Sequence, residues 1–274
     1  MPSPTLRPPA VAGRFYPGRP EALARQVDEY LGNDPEKIDG ALGCVVPHAG
    51  YMYSGHVAGA VFGKLPKRST YIILGPNHTG RGAPLAIMSS GEWSTPLGRV
   101  PIDSAMARLL RRSCHLLMED SEAHEGEHSI EVQLPFLQRS VGEFKFVPIA
   151  IGVGGYSPLE SLGHGITQAV RPPNAGAVMI VASSDMNHYE PDGLTREKDH
   201  KAIDKILALD TSGLYEVLRR EDISMCGYGP AIAMLTVAKE LGAHRAQLIK
   251  YATSADTTGD RDAVVGYAGI VVSV

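Results

Sequence analysis

Three short apolar runs in this sequence each lead directly into a polar segment. The runs cover residues 42–46, 71–74 and 177–182. A short apolar run that stops at polar residues predicts a buried strand whose end carries a polar side chain. The third run is apolar throughout, which is typical of a strand covered on both faces of its sheet. The chain is therefore expected to fold around a buried sheet with polar strand ends.

Strands and helices alternate along the rest of the sequence. Apolar residues have helical spacing at residues 20–31, 159–170, 194–209, 212–220 and 228–241, and Ser54 and Asp103 are expected to cap two further helices. Further strands are expected at 85–88, 144–151, 247–253 and 264–272, whereas 91–98 has the composition of turns. This alternation predicts a single α/β domain over residues 1–274, with helices on both faces of a mixed, mostly parallel sheet. We expect a mixed sheet because no helix separates the last two strands.

Charge and cysteine content exclude several classes of protein. The chain has 26 basic and 30 acidic side chains and a formal net charge of -4, without a long run of either sign, so a nucleic-acid partner is not expected. No segment approaches the ~18 apolar residues that a membrane span needs, and the N-terminus lacks the apolar core of a signal peptide. The three cysteines, Cys44, Cys114 and Cys226, form no disulfide or metal-finger pattern. A cytoplasmic protein without a membrane partner is therefore expected.

Histidine or aspartate follows each of the three apolar runs. His48 follows the first, His78 the second, and Asp185 with His188 the third. One histidine after a strand is more often a hydrogen-bonded structural residue, but three repetitions at one sheet edge favour a shared site. Imidazole and thiolate are good ligands for iron, copper and zinc, and catalytic metals commonly keep three protein ligands. Two of these histidines and one further donor would suffice.

Two further positions leave alternatives open. Cys226 precedes a predicted helix, where the helix dipole favours thiolate, although a buried and inert cysteine fits the sequence equally well. His128 and Glu131 have the spacing of an acid/base pair on one helical face, or of a solvated helix start.

Five ordered motifs resemble the Memo family, whose prokaryotic members are called AmmeMemoRadiSam system protein B. The motifs are Pro47-His48-Ala49-Gly50-Tyr51-Met52-Tyr53-Ser54-Gly55, Leu74-Gly75-Pro76-Asn77-His78, Glu127-His128-Ser129-Ile130-Glu131, Ser183-Ser184-Asp185-Met186-Asn187-His188 and Cys226-Gly227. The resemblance covers nearly the whole chain. It implies an α/β fold similar to the class III extradiol ring-cleaving dioxygenases, with a metal-capable site at the corresponding place.

The resemblance also implies roles for individual residues. His48, His78 and Cys226 match the metal ligands of the family, with Asp185 and His188 as polar residues beside them. Phe15 and Tyr53 match aromatic residues that line the pocket, and His128 lies where the dioxygenases tend to carry an acid/base histidine. The dioxygenases use two histidines and a carboxylate, whereas Cys226 supplies sulfur here, which shifts the preference toward iron or copper.

Three functions remain open on these grounds. The leading hypothesis is an oxidoreductase that uses one divalent transition metal, with iron or copper favoured and zinc possible, on a small-molecule substrate. The second is a non-enzymatic module that binds phosphopeptides in the same pocket, as the resemblance to eukaryotic relatives implies. The third is a zinc hydrolase. The resemblance further implies a functional link to a radical SAM enzyme and an AMMECR1-like protein.

Overall fold

The chain alternates between strands and helices, as its apolar runs predict. The computed structural model describes residues 5–33, 36–171 and 175–274, so the first four residues of the proline-rich N-terminus lie outside it. The helices are α1 (Pro20–Leu31), α2 (Tyr51–Lys64), α3 (Ser104–Ser113), α4 (Glu122–Glu125), α5 (Leu134–Ser140), α6 (Tyr156–Val170), α7 (Asp192–Leu207), α8 (Thr211–Arg220), α9 (Tyr228–Glu240) and α10 (Ala255–Thr258). In the described ranges, no helix has both the length and the apolar character that crossing a membrane requires.

The strands form one large sheet and one small one. They are β1 (Leu6–Arg7), β2 (Ala41–Val46), β3 (Thr70–Pro76), β4 (Leu85–Ile87), β5 (Glu92–Thr95), β6 (Gly98–Pro101), β7 (Met118–Glu119), β8 (Lys145–Ile151), β9 (Val178–Ser183), β10 (His188–Glu190), β11 (Arg245–Thr253) and β12 (Val264–Ser273). The large sheet has the order β10-β12-β2-β9-β3-β8-β4-β7, and β11 also pairs with β12. Its central strands β2, β9, β3 and β8 are parallel, whereas β12 and β4 run antiparallel to their central neighbours. The sheet is mixed, as predicted.

Side chains of the central strands alternate between two helical layers. Tyr71 and Ile73 of β3 pack in one apolar cluster with residues of α1, α2 and α5. Ile72 and Leu74 pack in the other cluster with residues of α3, α6, α7, α8 and α9. Successive side chains of a strand point to opposite faces, so a sheet with helices on both faces needs continuous apolar strands. The prediction of helices on both faces is therefore confirmed.

The start of α2 differs from the sequence-based expectation. The helix begins at Tyr51 with Gly50 as its cap residue, and Ser54 lies inside it, donating a hydrogen bond to the carbonyl of Ala49 at 3.1 Å. The expected cap at Ser54 is therefore wrong. Tyr51 is buried and donates its hydroxyl hydrogen to the carbonyl of Val132 at 2.6 Å. Tyr51 and Val132 are 81 residues apart, so the sequence around Tyr51 does not predict this contact. The contact lies at the first residue of the helix, three residues before Ser54.

Residues 91–98, expected as turns, contain a strand and the start of its partner. β5 and β6 form an antiparallel hairpin, and β1 adds to β5 as a third, parallel strand. Trp93 and Thr95 are buried, whereas Glu92 and Ser94 are half-buried, which is the alternation of a strand with one covered face. The strand has four residues, so the alternation is too short to stand out from the turn residues around it.

Candidate metal centre

The ends of three neighbouring parallel strands bring the sequence-predicted site residues together. β2, β9 and β3 lie side by side and run in the same direction. His48 follows β2, Asp185 follows β9 and His78 follows β3, so all three lie beyond the carboxyl edge of the sheet. Open α/β sheets form their sites at this edge. The ring centroids of His48 and His78 are 5.1 Å apart.

Cys226 completes a group of three potential metal ligands. It lies in the loop before α9, and its Sγ is 3.2 Å from Nε2 of His48. One donor atom from each of His48, His78 and Cys226 lies within 4.8 Å of the others. Ligands that are each about 2.0 to 2.3 Å from a zinc-sized ion are themselves about 3 to 4 Å apart. A modest approach of the three donors would therefore let one ion contact all of them.

Buried hydrogen bonds hold the ring of His48 in one tautomer. Nδ1 of His48 is 2.9 Å from Oγ of Ser183, and that hydroxyl donates its own hydrogen to the carbonyl of Ser129 at 2.6 Å. Nε2 of Gln133 also donates to this Oγ at 2.9 Å. Since the hydroxyl has one hydrogen, it can only accept from His48. Nδ1 therefore carries the proton, and Nε2 presents its lone pair to Cys226, as a metal ligand must.

His78 is oriented by Glu127, a residue that the sequence analysis did not single out. The Glu127 carboxylate accepts from Nδ1 of His78 at 3.0 Å and from its backbone N–H at 2.6 Å. Burial lowers the pKa of His78, but the hydrogen bond and charge of Glu127 raise it above its usual value. Burial alone would raise the pKa of Glu127, yet the hydrogen bond from His78 holds it at about 2. Nδ1 of His78 is thus engaged, and Nε2 is available to a metal.

His78, Glu127 and His128 form a second group with donor atoms within 4.8 Å of one another. The Glu127 carboxylate, however, already accepts both N–H groups of His78 and the backbone N–H groups of His128 and Ser129, the latter two at 2.9 Å. Oε1 accepts three of these four donors and Oε2 accepts the fourth, so Oε1 has no lone pair left for an ion. His128 instead stacks on His78 with ring centroids 4.7 Å apart and contacts the ring of Phe15 at 4.6 Å. The group with Cys226 is therefore the better metal site.

His188 and Asp185 line the same pocket as the three donors. The carbonyl of Ser224 accepts from Nδ1 of His188 at 3.0 Å, which makes Nδ1 the protonated nitrogen and leaves Nε2 as a base. Burial lowers the pKa of His188, so its imidazole is uncharged at neutral pH. Burial also raises the pKa of Asp185 to about 7, although its carboxylate accepts the backbone N–H of His48 at 2.7 Å. Asp185 can therefore gain or lose a proton near neutral pH.

The structure distinguishes the two alternatives for Cys226, a thiolate at a helix start and a buried, inert cysteine. The helix begins at Tyr228, with Gly227 as its cap residue. Burial, together with the negative charge of Asp185, raises the pKa of Cys226 well above its usual value. Without a metal, these effects favour the protonated thiol over the thiolate, and Cys226 is half-buried. A bound metal cation would replace the thiol proton and stabilise the thiolate.

Neither expectation for His128 and Glu131 holds. Glu131 is fully buried and accepts from Nη1 of Arg7 at 2.7 Å and from the hydroxyl of Tyr16 at 2.6 Å. It also accepts backbone N–H groups of the N-terminal segment. Its carboxylate is therefore neither solvated nor paired with His128. Glu131 instead fastens the segment that carries Phe15 into the pocket wall.

Aromatic side chains line a cavity of about 700 Å³ around the donor group. Phe15 and Tyr53, expected from the family resemblance, lie in its wall, as do Tyr189 and Tyr267, which the sequence analysis missed. Tyr189 has a backbone φ of 60° and is 77% exposed. Its position directly after His188 was the available signal in the sequence. Among the described residues that line the cavity, none is lysine or arginine.

The fold and the donor group define an α/β protein with a candidate mononuclear metal pocket at the carboxyl edge of its sheet. The chain belongs to the Memo family, because the family model described as Memo-like protein matches residues 7–271. The chain is 46% identical to a MEMO1 family protein of Pyrobaculum arsenaticum, with 97% of this chain and 98% of the relative covered. It is 44% identical to the MEMO1 family protein MK0963 of Methanopyrus kandleri, with the same coverage. The family membership predicted from the five motifs is confirmed.

One solved structure with a similar fold is the crystal structure of uncharacterized protein JW3007 from Escherichia coli K12. The TM-score is 0.59 at 13% sequence identity, and the match covers 84% of this chain and 99% of that chain. At this identity the likeness concerns the fold alone. It supports the α/β architecture described above.

Proposed function

We propose that this Memo-family chain is a metal-dependent oxidoreductase that holds one divalent transition metal ion through His48, His78 and Cys226. The observation that carries the proposal is the convergence of these three donors within 4.8 Å at the carboxyl edge of the sheet. Hydrogen bonds at Nδ1 of both histidines support it, since they leave Nε2 available. Two imidazoles and one sulfur favour iron, copper or zinc over magnesium or calcium.

A redox-active metal suits this ligand set best. The bound iron or copper ion would supply one-electron redox chemistry, which zinc lacks. A dioxygenase-like reaction does not follow from the fold alone, because one fold hosts many functions. We therefore propose the class of oxidoreductase without naming its substrate.

His188, Asp185 and His128 are the proposed proton-transfer groups. Nε2 of His188 is a base whose orientation is held through Ser224, and Asp185 has a pKa of about 7 because it is buried. A general acid or base works best when its pKa lies near the working pH. His128 lies between Phe15 and His78, where it can reach a molecule bound in the cavity. Phe15 and Tyr53 are the proposed contacts for the substrate.

A phosphopeptide-binding function is less well supported by the same pocket. Proteins recognise phosphate dianions mainly with arginine and lysine. None of the described lining residues is of either type, and the buried Asp185 would repel a dianion when ionised. A neutral small molecule suits these walls better.

A cytoplasmic location is also part of the proposal. All three cysteines are free, with Cys44 and Cys114 buried, which suits a reducing compartment. The functional link to a radical SAM enzyme and an AMMECR1-like protein is proposed on family resemblance, and co-purification from the native cell would test it.

Elemental analysis of protein purified without chelators tests the metal proposal. We expect about one equivalent of iron or copper per chain, lost in His48→Ala and in Cys226→Ser. His164→Ala and Cys114→Ser are matched controls, because His164 is exposed and Cys114 is buried away from the pocket. Zinc at one equivalent would favour the hydrolase instead. Retention of the parental metal content in both site variants would refute the ligand assignment.

A further inference from the structure

Glu127 holds both the backbone and the ring of His78. One carboxylate oxygen accepts from the His78 backbone N–H at 2.6 Å, and the other accepts from Nδ1 of the ring at 3.0 Å. Two contacts from one rigid group restrict the main chain and the side chain of His78 together. The loop after β3 is therefore tied to the segment that contains Glu127.

The same carboxylate also orders its own segment. Its Oε1 accepts the backbone N–H groups of His128 and Ser129, both at 2.9 Å. The side chain of Glu127 is 1% exposed, so water has almost no access to it. The four groups that donate hydrogen bonds to this carboxylate are all N–H groups, and Nδ1 of His128 lies 3.4 Å from the same Oε1. Such a site accepts a carboxylate but not an amide, because the NH₂ group of an amide would face an N–H donor.

We propose that Glu127 is a positioning residue that fixes the tautomer and ring orientation of His78 and places a negative charge next to the metal centre. The proposal rests on the function proposed above, since it takes His78 as a metal ligand. A carboxylate that accepts from the second nitrogen of a metal-bound histidine makes that histidine a stronger ligand. It also favours the more oxidised, more positive state of a bound metal.

The tautomer of His78 in metal-free protein is the first measurement. Nitrogen NMR chemical shifts distinguish protonated from unprotonated ring nitrogens, and we expect the Nδ1–H tautomer of His78 in the parent above neutral pH. In Glu127→Gln we expect a mixture of tautomers, because the amide cannot accept from all four donors. An unchanged His78 tautomer in this variant would overturn the proposal.

Metal affinity is the second measurement, made with Co²⁺ because its absorption reports a cysteine ligand. Loss of such a partner commonly weakens metal binding about 10- to 100-fold, and we expect this range for Glu127→Gln. Asp120→Asn is the matched control, since Asp120 accepts backbone N–H groups of Ala83, Glu122 and Ala123 and has no contact with His78. The control should bind Co²⁺ as the parent does.

Glu127→Asp separates the effect of the negative charge from the effect of side-chain length. It also serves as a second variant if Glu127→Gln does not fold. Aspartate keeps the negative charge and can still accept from the backbone of residues 128 and 129, but it is too short to hold the His78 ring as well. We expect intermediate Co²⁺ affinity and, for the copper-loaded protein, a reduction potential closer to the parent than that of Glu127→Gln. Equal affinity and potential in the parent and both variants would overturn only the role of Glu127. A parent that binds no Co²⁺ would overturn this role and the proposed function together.

Discussion

The sulfur of Cys226 lies 3.2 Å from Nε2 of His48, although 178 residues separate the two in the chain. Cys226 is half-buried, and its burial together with the negative charge of Asp185 raises the pKa of the thiol. A protonated thiol and an imidazole lone pair can share a hydrogen bond, whereas a metal ion would replace the shared proton. Cys226 and His48 can therefore share a hydrogen bond in the metal-free protein and would both coordinate an ion when one is bound.

Ser183→Ala should weaken metal binding without changing any ligand. Oγ of Ser183 accepts from Nδ1 of His48 at 2.9 Å, and its loss leaves this ring free to change tautomer. We expect about 10-fold weaker Co²⁺ binding, at the low end of the usual effect of such partners. Ser113→Ala, on the exposed end of α3, is the control and should bind Co²⁺ normally. Parental affinity in Ser183→Ala would mean that Ser183 does not hold His48.

Glu131→Gln should destabilise the protein strongly. Arg7 and Glu131 form a buried ion pair at 2.7 Å, with side chains 3% and 0% exposed. Loss of one partner leaves a buried charge uncompensated, which costs about 3 to 5 kcal/mol. Arg139→Met breaks an exposed pair with Asp28 and should cost less than about 1 kcal/mol. Urea unfolding measures both, and equal effects would contradict the proposed fastening of the N-terminal segment.

Burial of His124 should lower the free energy of unfolding in mild acid relative to neutral pH. Burial, reinforced by the charge of Arg7, lowers the pKa of His124 to about 4, whereas an unfolded histidine titrates near 6.5. Between these values the unfolded chain binds the extra proton, so stability falls as the pH falls through this window, by at most about 3 kcal/mol. His124→Phe keeps a ring against Trp93 and should remove this component. The measurement is the unfolding free energy of both proteins against pH, and parallel curves would refute the assignment.

Tyr189→Gly should be at least as stable as Tyr189→Ala, and more stable by about 1 kcal/mol if the backbone stays in place. The reason is the backbone φ of 60° at Tyr189, where glycine is unstrained and alanine is not. Both variants remove the same exposed ring from the pocket wall, so their difference isolates the backbone. Chemical denaturation of the pair makes the comparison. Alanine equal to glycine would show that the loop relaxes.

Much of the fold was predictable because its signals are local. The runs that became β2, β3 and β9 are short, apolar and followed by polar residues, and the polar ends mark where each strand stops. Local sequence patterns gave wrong predictions where contacts with residues distant in the chain determine the secondary structure. Tyr51 starts α2 in place of the expected Ser54, and β5 pairs with β1, which lies far away in the chain.

The sequence by itself determined that polar donors stand at the ends of buried strands, since residue order alone puts His48 and His78 after apolar runs. Only the tertiary structure decided which ring nitrogens would be available to a metal. The rings of His48 and His78 donate from Nδ1 to Ser183 and Glu127, which leaves Nε2 of each ring available, and burial beside Asp185 raises the pKa of Cys226. Strand order in the sheet brings these groups together, and contacts between residues so far apart in the chain leave no local pattern.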